Sequence, residues 1–195
     1  MTASLLGTPV LRVEDHHLLV GDTTFIANLD LPGALHAHVM LSTMAHARLV
    51  AIDTAEARAV PGVVDIVTGL DVELAPMPAS MPDLPDGTQR PVLATDMVRF
   101  VGEPVVAIVA DTPSAAADAA ALVVIDYDPL PAVVDPEGAR ADDDLLFPDA
   151  GTNTMFTAAG GNDEPDWSGY EVVVEAEFLN QRVAPCPMET RAAAS

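Results

Sequence analysis

The sequence predicts an α+β domain that is built on a mixed β-sheet with a few helices. The first indication is the stretch VGEPVVAIVAD (101–111), in which a turn leads into seven consecutive apolar residues. An unbroken apolar run of this length predicts a strand that is covered on both faces. The second indication is the next stretch, TPSAAADAAALVVIDYDPLP (112–131), where helix signals give way to strand signals. Strand, helix and strand in such short succession predict a βαβ-type unit within the sheet.

Four further strands are expected ahead of the buried strand. ALHAHVML (34–41), ARLVAID (47–53) and VVDIVTG (63–69) are rich in residues that favour strands. A shorter strand is expected within PVLATDMVRF (91–100). Because only the segment STMAH separates the first two strands, we expect a hairpin-like connection between them.

Two helices have recognisable ends. Thr112 is a good N-cap because its hydroxyl can accept a hydrogen bond from a backbone N–H of the first turn, and Pro113 suits the first helical position. The Ala-rich run that follows would let this helix approach a sheet closely. Earlier in the chain, Asp53 or Thr54 caps a shorter helix, which the pair Pro61–Gly62 ends.

The remaining segments lack a regular pattern, with one exception near the end. Residues 1–24 are polar and irregular, and we expect an arm there. Residues 71–91 contain five prolines and are expected to form an exposed loop. Residues 135–170 are acidic and loop-like. The exception is YEVVVEAEFLNQRV (170–183), whose alternating apolar and polar residues predict a last strand.

The charge balance argues against two classes of partner. The chain has 30 Asp and Glu residues and only 8 basic residues, all of them Arg, which gives a formal net charge of −22. Such a charge repels phosphate backbones and anionic lipid surfaces. We therefore expect no nucleic-acid partner and no membrane-surface partner, and we interpret the acidity chiefly as a source of solubility. We also expect no membrane insertion, because no apolar run approaches the roughly 18 residues that a spanning helix needs.

The cysteine content and the N-terminus suggest a compartment. Cys186 is the only cysteine, so no disulfide can form within the chain, which fits a reducing environment. The first 30 residues lack a basic start followed by an unbroken apolar core, as a signal peptide would have. The sequence therefore predicts a cytoplasmic protein.

Three histidines form the only constellation that suggests a metal. His36 and His38 lie two residues apart on a predicted strand and so share a face, and His46 could approach from the next strand. Three imidazoles can hold a zinc ion with one open position. No carboxylate or cysteine lies at a supporting spacing, so structural histidines are the preferred interpretation and zinc binding is the alternative.

Other reactive residue types form no catalytic set. Cys186 lies between two prolines with no cationic neighbour close in sequence, and we expect a buried, inert thiol. Glu103 follows Gly102 in the turn before the buried strand, where a carboxylate typically accepts from backbone amides, so we interpret it as structural. Phosphate-binding glycine loops and nucleophile motifs are absent from the sequence. We therefore predict no catalytic, cofactor-binding or metal-binding residue in this chain.

The order of the motifs nevertheless resembles a known family. The chain is similar to the N-terminal region of the large, molybdenum-cofactor-binding subunit of the xanthine dehydrogenase and aldehyde oxidase family, and most of all to bacterial carbon monoxide dehydrogenase large subunits. The resemblance extends from about residue 7 to residue 193, and the block from Arg90 to Gly138 is its most specific part. The motifs are GTPVLRVED, LPGALHAHV, AHARLVAIDTAEARAVPGVVDIVTGLD, RPVLATDMVRFVGEPVVAIVADTPSAAADAAALVVIDYDPLPAVVDPEGA and NQRVAPCPMETRA.

The resemblance implies a fold, a set of boundaries and a set of cofactors. The fold is the α/β-hammerhead, expected at 25–138 after an N-terminal arm at 1–24. An acidic linker at 139–170 would lead to the truncated start of the molybdopterin-binding domain at 171–195. The cofactor's glycine-rich segment and the catalytic Glu of the family lie in later motifs, so Glu189 in METR is not that residue. The full enzyme would carry a molybdenum-pterin cofactor, with iron-sulfur clusters and FAD on partner subunits.

The resemblance also implies a function for this segment. We expect a scaffold domain of a molybdenum hydroxylase large subunit, an oxidoreductase acting on aldehydes, N-heterocycles or CO, without the active site itself. Its partners would be the rest of the large subunit, an iron-sulfur small subunit and an FAD medium subunit. The alternative is a stand-alone, non-catalytic hammerhead module for binding or assembly.

Overall fold

The computed structural model describes residues 6–78, 84–158 and 166–195. The chain forms two compact units, of which the first combines Met1–Gly33 with Pro165–Ser195 and the second is Ala34–Glu164. The second unit contains every strand of the described residues. In chain order, the elements are α1 (Asp15–Val20), β1 (His36–Leu41), β2 (Ala47–Asp53), α2 (Ala55–Arg58), β3 (Val63–Thr68), β4 (Met97–Val98), β5 (Pro104–Ala110), α3 (Pro113–Ala120), β6 (Val124–Pro129) and α4 (Pro136–Ala139).

The predicted buried strand is the centre of the first sheet. β5 lies between β1 and β3, and it pairs with both in antiparallel fashion. Val105, Val106, Ile108 and Ala110 have no exposed surface, so the continuous apolar run does mark burial on both faces. The prediction from VGEPVVAIVAD is confirmed.

The second sheet has the order β4-β2-β6, again with antiparallel pairing throughout. The predicted hairpin between β1 and β2 is therefore wrong, because these strands belong to different sheets. The connection between them is held by Ser42, whose N–H donates to the carbonyl of Glu103 at 2.8 Å. The Ser42 hydroxyl oxygen accepts from the N–H of Met44 at 3.0 Å and donates to the carbonyl of Met44 at 2.9 Å. These bonds tie the segment to the turn before β5 and lead the chain away from a hairpin.

The order strand, helix, strand around α3 is confirmed, but the βαβ-type unit within one sheet is wrong. Both edges of β5 are already occupied by β1 and β3, so β6 cannot pair with β5, and it joins β2 instead. The expected fold class is confirmed as an α+β fold with few helices. It contains two three-stranded antiparallel sheets in place of one mixed sheet.

Helix α3 covers one face of the first sheet and contacts all three of its strands. It begins as predicted, since the hydroxyl of Thr112 accepts from the N–H of Ala115 at 3.1 Å and Pro113 occupies the first turn. Its buried residues, Ala116 and Ala119, are small, which allows close approach to the sheet. For α2, the carboxylate of Asp53 accepts from the N–H of Ala55 at 2.9 Å.

A second close approach occurs just after β3, at Gly69. A Cβ added there would lie 2.7 Å from the carbonyl oxygens of both Leu93 and Ala94. Real Cβ atoms essentially never come so close to backbone oxygens. Glycine at this position therefore lets β3 end against the segment that leads to β4.

The first unit and the loops differ from expectation in three places. The strand predicted at 170–183 is not formed, because those residues are exposed and pair with no other strand in the described chain. The arm contains helix α1, which ends at Gly21 in a left-handed conformation. The acidic stretch contains the short helix α4, where the Asp135 carboxylate accepts from the N–H of Gly138 at 2.7 Å. The loop at 71–91 has no helix or strand where it is described, and residues 79–83 lie outside the described part.

The helices of the described chain are all short. Among the described residues, no helix is long and apolar enough to cross a bilayer, and the longest, α3, has 8 residues.

Candidate functional site

The turn before β5 contains the most deeply buried carboxylate of the described residues. Glu103 is 2% exposed, and its Oε2 accepts from the backbone N–H of Arg99 at 2.5 Å. The backbone of the same turn is fixed by the N–H of Gly102, which donates to the carbonyl of Ser42 at 2.8 Å. The structural interpretation of Glu103 is confirmed, because its side chain bonds a backbone amide as expected.

The other oxygen of this carboxylate is unusual. Glu103 Oε1 is buried and has no hydrogen-bond partner within the described residues. Leaving a buried acceptor without a donor costs free energy, so the bond from Arg99 to Oε2 must hold the side chain in place against that cost. The hydrogen bond to Oε2 stabilises the turn, and the Glu103 side chain is almost completely buried.

Arg99 links the same turn to the acidic segment after α4. Its Nε–H donates to the carbonyl of Leu146 at 2.8 Å, and its guanidinium lies 4.9 Å from the ring centroid of Phe147. A cation over an aromatic face at that distance contributes about 0.5–1 kcal/mol or more when partly buried. The sequence reasoning missed Arg99. The scarcity of basic residues was an available signal, since a chain with only eight arginines uses each one selectively.

His46 is a core histidine, and the three histidines do not form the cluster that the zinc alternative requires. The histidine is 5% exposed, and its Nδ1–H donates to the carbonyl of Pro131 at 2.7 Å. Its Nε2 lies 3.2 Å from the sulfur of Met97. His36 and His38 lie on β1 in the other sheet, and His36 is exposed. No group of three or more His, Cys, Asp or Glu side chains in the described chain could hold a metal ion.

A cleft of about 240 Å³ lies beside β2 and the end of β3. One of its charged residues, Asp71, accepts from the N–H and the hydroxyl of Thr68 at 2.7 and 2.8 Å. These two hydrogen bonds, with a smaller contribution from the nearby positive charge of Arg58, lower the pKa of the Asp71 carboxyl below its usual 3.8. The remaining lining is largely apolar: Leu49, Val50, Ala51, Ile52, Thr54, Leu70 and Thr95.

The guanidinium in this cleft is already engaged by the protein. Arg58 donates through Nε to the Thr54 hydroxyl at 3.1 Å and through Nη1 to Asp65 at 3.0 Å. Its Nη2 donates to the carbonyl of Ile66. The cleft therefore combines apolar walls with charges that hold β3 and α2 together. Sequence reasoning singled out none of these residues.

The C-terminal candidates lie in the first unit. Cys186 is exposed, so the expectation of a buried thiol is wrong. The reason is that the segment around it packs against no covering layer among the described residues. Glu189 Oε1 accepts from the backbone N–H of Ile26 at 3.1 Å, which joins the C-terminal segment to the residues that follow the arm.

The molybdenum-pterin cofactor that the resemblance implies requires a suitable set of protein groups. The described residues contain no cluster of metal-binding side chains, and the arginine of the β2 cleft is committed to three protein acceptors. Within the described residues, the structure shows no site that fits this cofactor, and no chemistry through it follows from them.

Comparison with known proteins identifies the relatives of this architecture. A family model for the "Aldehyde oxidase and xanthine dehydrogenase, a/b hammerhead domain" matches residues 20–131. The chain is 39% identical to the 6-hydroxypseudooxynicotine dehydrogenase complex subunit gamma of Paenarthrobacter nicotinovorans, with 96% of this chain and 25% of that protein covered. It is 32% identical to the carbon monoxide dehydrogenase large chain of Afipia carboxidovorans, with 95% and 25% covered.

A solved structure agrees with these sequence relatives. Quinoline 2-oxidoreductase from Pseudomonas putida 86 matches with a TM-score of 0.59 and 44% identity, over 68% of this chain and 17% of that chain. The chain spans about a quarter of the length of the curated relatives described above. The family model, in contrast, covers more than half of the chain and includes every strand of both sheets. The protein therefore belongs to the aldehyde oxidase and xanthine dehydrogenase family and carries its α/β-hammerhead domain.

Proposed function

We propose that this chain is the scaffold portion of a molybdenum hydroxylase large subunit and that it contributes no catalytic residue. The complete enzyme would oxidise an aldehyde, an N-heterocycle or CO in the cytoplasm, with water as the source of oxygen. Its molybdenum-pterin cofactor would be held by the three quarters of such a subunit that this chain does not cover. Electrons would leave the molybdenum through iron-sulfur clusters to FAD on partner subunits.

One observation carries the proposal: the deeply buried polar groups of the second unit bond the fold itself. Glu103 holds the backbone of the turn before β5, and His46 binds the carbonyl of Pro131. Arg99, which is half-buried, and Arg58, which is exposed, likewise donate to backbone carbonyls and neighbouring side chains. An active site, in contrast, directs perturbed groups toward an accessible pocket. The names of the relatives, which include a dehydrogenase complex subunit and a dehydrogenase large chain, support the assignment to such a subunit.

The test is the composition of the native assembly. We would tag the chain in its host, purify it under mild conditions and identify the co-purifying polypeptides by mass spectrometry. The proposal predicts an iron-sulfur subunit, a flavin subunit and the rest of the large subunit, together with molybdenum in the complex. A chain that purifies alone and free of molybdenum, without a neighbouring gene for the missing portion, would instead favour the stand-alone assembly module.

A further inference from the structure

β3 lies at the edge of the first sheet, where β5 is its one partner strand among the described residues. In an edge strand, every second residue directs its N–H and C=O away from the sheet, and such groups recruit other strands. Ile66 and Thr68 are residues of this kind in β3, because their N–H groups bond to side chains outside the ladder. The outer edge of β3 is thus formed by four backbone groups, two on Ile66 and two on Thr68.

All four backbone groups have partners close in the chain. The N–H of Ile66 donates to Asp65 Oδ1 at 2.7 Å, and the carbonyl of Ile66 accepts from Arg58 Nη2. The N–H of Thr68 donates to Asp71 Oδ2 at 2.7 Å, and the carbonyl of Thr68 accepts from the N–H of Asp71 at 3.1 Å. We call Arg58, Asp65 and Asp71 the edge caps. They leave no backbone group of this stretch for an incoming strand.

A strand that added at this edge would have to replace these hydrogen bonds. Three of the four involve a carboxylate or a guanidinium, and hydrogen bonds with an ionised partner are roughly twice as strong as neutral ones. Strand addition supplies only neutral N–H···O=C bonds, so the exchange would weaken the bonding of Ile66 and Thr68. The side chains of Arg58 and Asp65 are 45% and 58% exposed, so the edge caps do not serve to fill the core.

The other long edge strands differ from β3. β1 and β6 are also outermost in their sheets, and the described chain shows no comparable set of side-chain hydrogen bonds along either of them. We propose that the edge caps close the outer edge of β3 against strand addition, so that this edge of the domain is not an interface for another strand. The exclusion applies to a second copy of this chain and equally to any other segment. It therefore does not depend on the proposed enzymatic assembly.

The test opens the edge in the full chain and asks whether a second copy pairs with it. The test variant combines Arg58→Leu, Asp65→Ala and Asp71→Ala. The matched control makes the same kinds of substitution at exposed positions elsewhere, namely Arg140→Leu, Asp118→Ala and Asp143→Ala. Both variants therefore carry the same net charge.

Two measurements are made over the same range of protein concentration. Sedimentation velocity follows self-association in about 1 M NaCl, where the Debye length is about 3 Å and the repulsion between acidic chains is screened. Amide hydrogen exchange follows Ile66 and Thr68, and slow exchange of Val106 and Ile108 in β5 shows that a variant is folded.

We expect the wild-type chain and the control to have the same state of association and to protect both amides at every concentration. In the dilute test variant, both amides should exchange about tenfold or more faster, because each loses a bond to a carboxylate. Their protection should return as the test variant associates. Faster exchange without association, or association that leaves both amides unprotected, would overturn the proposal. Equal association of the control would also overturn it.

Two single variants keep the test decisive if the triple variant does not fold. Asp65→Ala should speed the exchange of the Ile66 amide alone, and Asp71→Ala that of the Thr68 amide alone. Each should also associate more readily than Asp143→Ala. Unchanged exchange in both single variants, or association no stronger than that of Asp143→Ala, would contradict the proposal.

Discussion

Glu103 should contribute more to the stability of this fold than any other carboxylate of the second unit. The substitution Glu103→Ala removes the acceptor that lies 2.5 Å from the N–H of Arg99 and leaves that amide without its partner. A hydrogen bond to a charged group contributes about 1.5–3 kcal/mol. Removal of the partnerless Oε1 returns part of this free energy. We therefore expect Glu103→Ala to lower the free energy of unfolding by about 2 kcal/mol.

A conservative variant separates the hydrogen bond from the charge. Glu103→Gln keeps the volume of the side chain and an acceptor for the Arg99 amide, so we expect a loss of about 1 kcal/mol. The measurement is urea-induced unfolding followed by circular dichroism, with Glu73→Ala as an exposed control that should stay within about 0.5 kcal/mol of wild type. The reasoning is refuted if Glu103→Ala is as stable as the control, or if the Gln variant loses as much as the Ala variant.

Three further predictions follow from the same structure. Gly69→Ala should destabilise the chain by about 1–3 kcal/mol because the added Cβ would meet two backbone carbonyl oxygens. Gly169→Ala, whose Cβ would meet nothing within 4 Å, should leave the stability unchanged. Equal denaturation midpoints for the two variants would contradict this prediction. Because the native pKa of Asp71 is lowered, its carboxylate should stabilise the fold above pH 3.8 and lose that effect as the pH falls through the native pKa. The stability difference between wild type and Asp71→Asn should therefore shrink in acid. Thr68→Val keeps the backbone donor and removes the hydroxyl, so it should raise the Asp71 pKa measured by NMR in part; an unchanged pKa would refute the contribution of the hydroxyl. His46→Ala should lower the free energy of unfolding by about 2–3 kcal/mol, whereas His36→Ala, at an exposed position, should leave it nearly unchanged. Stoichiometric bound zinc that either substitution removes would contradict the structural role of His46.

Local signals in the sequence predicted the elements that depend on local chemistry. The apolar run of β5 and the cap of α3 at Thr112 are both found in the structure, because burial of a strand and capping of a helix depend on residues that are close in the sequence. The bounds of β2 also agree with the prediction at 47–53. These features need no knowledge of which distant segments meet.

Strand pairing could not be predicted in the same way, because it depends on distant partners. β1 is followed closely by β2, yet β1 pairs with β5 and β2 pairs with β6. The decisive contact lies between Ser42 and the turn at Glu103, about 60 residues apart in the chain. The burial of His46 against Met97 and Pro131 has the same non-local origin, which is why the histidine spacing alone left zinc binding open as the alternative.

The C-terminal segment shows the opposite limit. The alternation at 170–183 correctly describes a strand-like sequence, but a strand requires a partner to satisfy its backbone groups. No such partner is present among the described residues, so the pattern remains a potential for pairing. Whether Cys186 is covered depends on the same missing contacts, and the sequence around it contains no information about them.

The most direct test of the central claim is turnover by the pure 195-residue chain. The chain would be purified from a host that makes the molybdenum cofactor, analysed for bound molybdenum, and assayed with aldehydes, N-heterocycles and CO in the presence of a dye as electron acceptor. We predict no stoichiometric molybdenum and no dye reduction above the buffer rate, while the assembled complex reduces the dye. Substrate-dependent dye reduction by the chain alone would contradict the account.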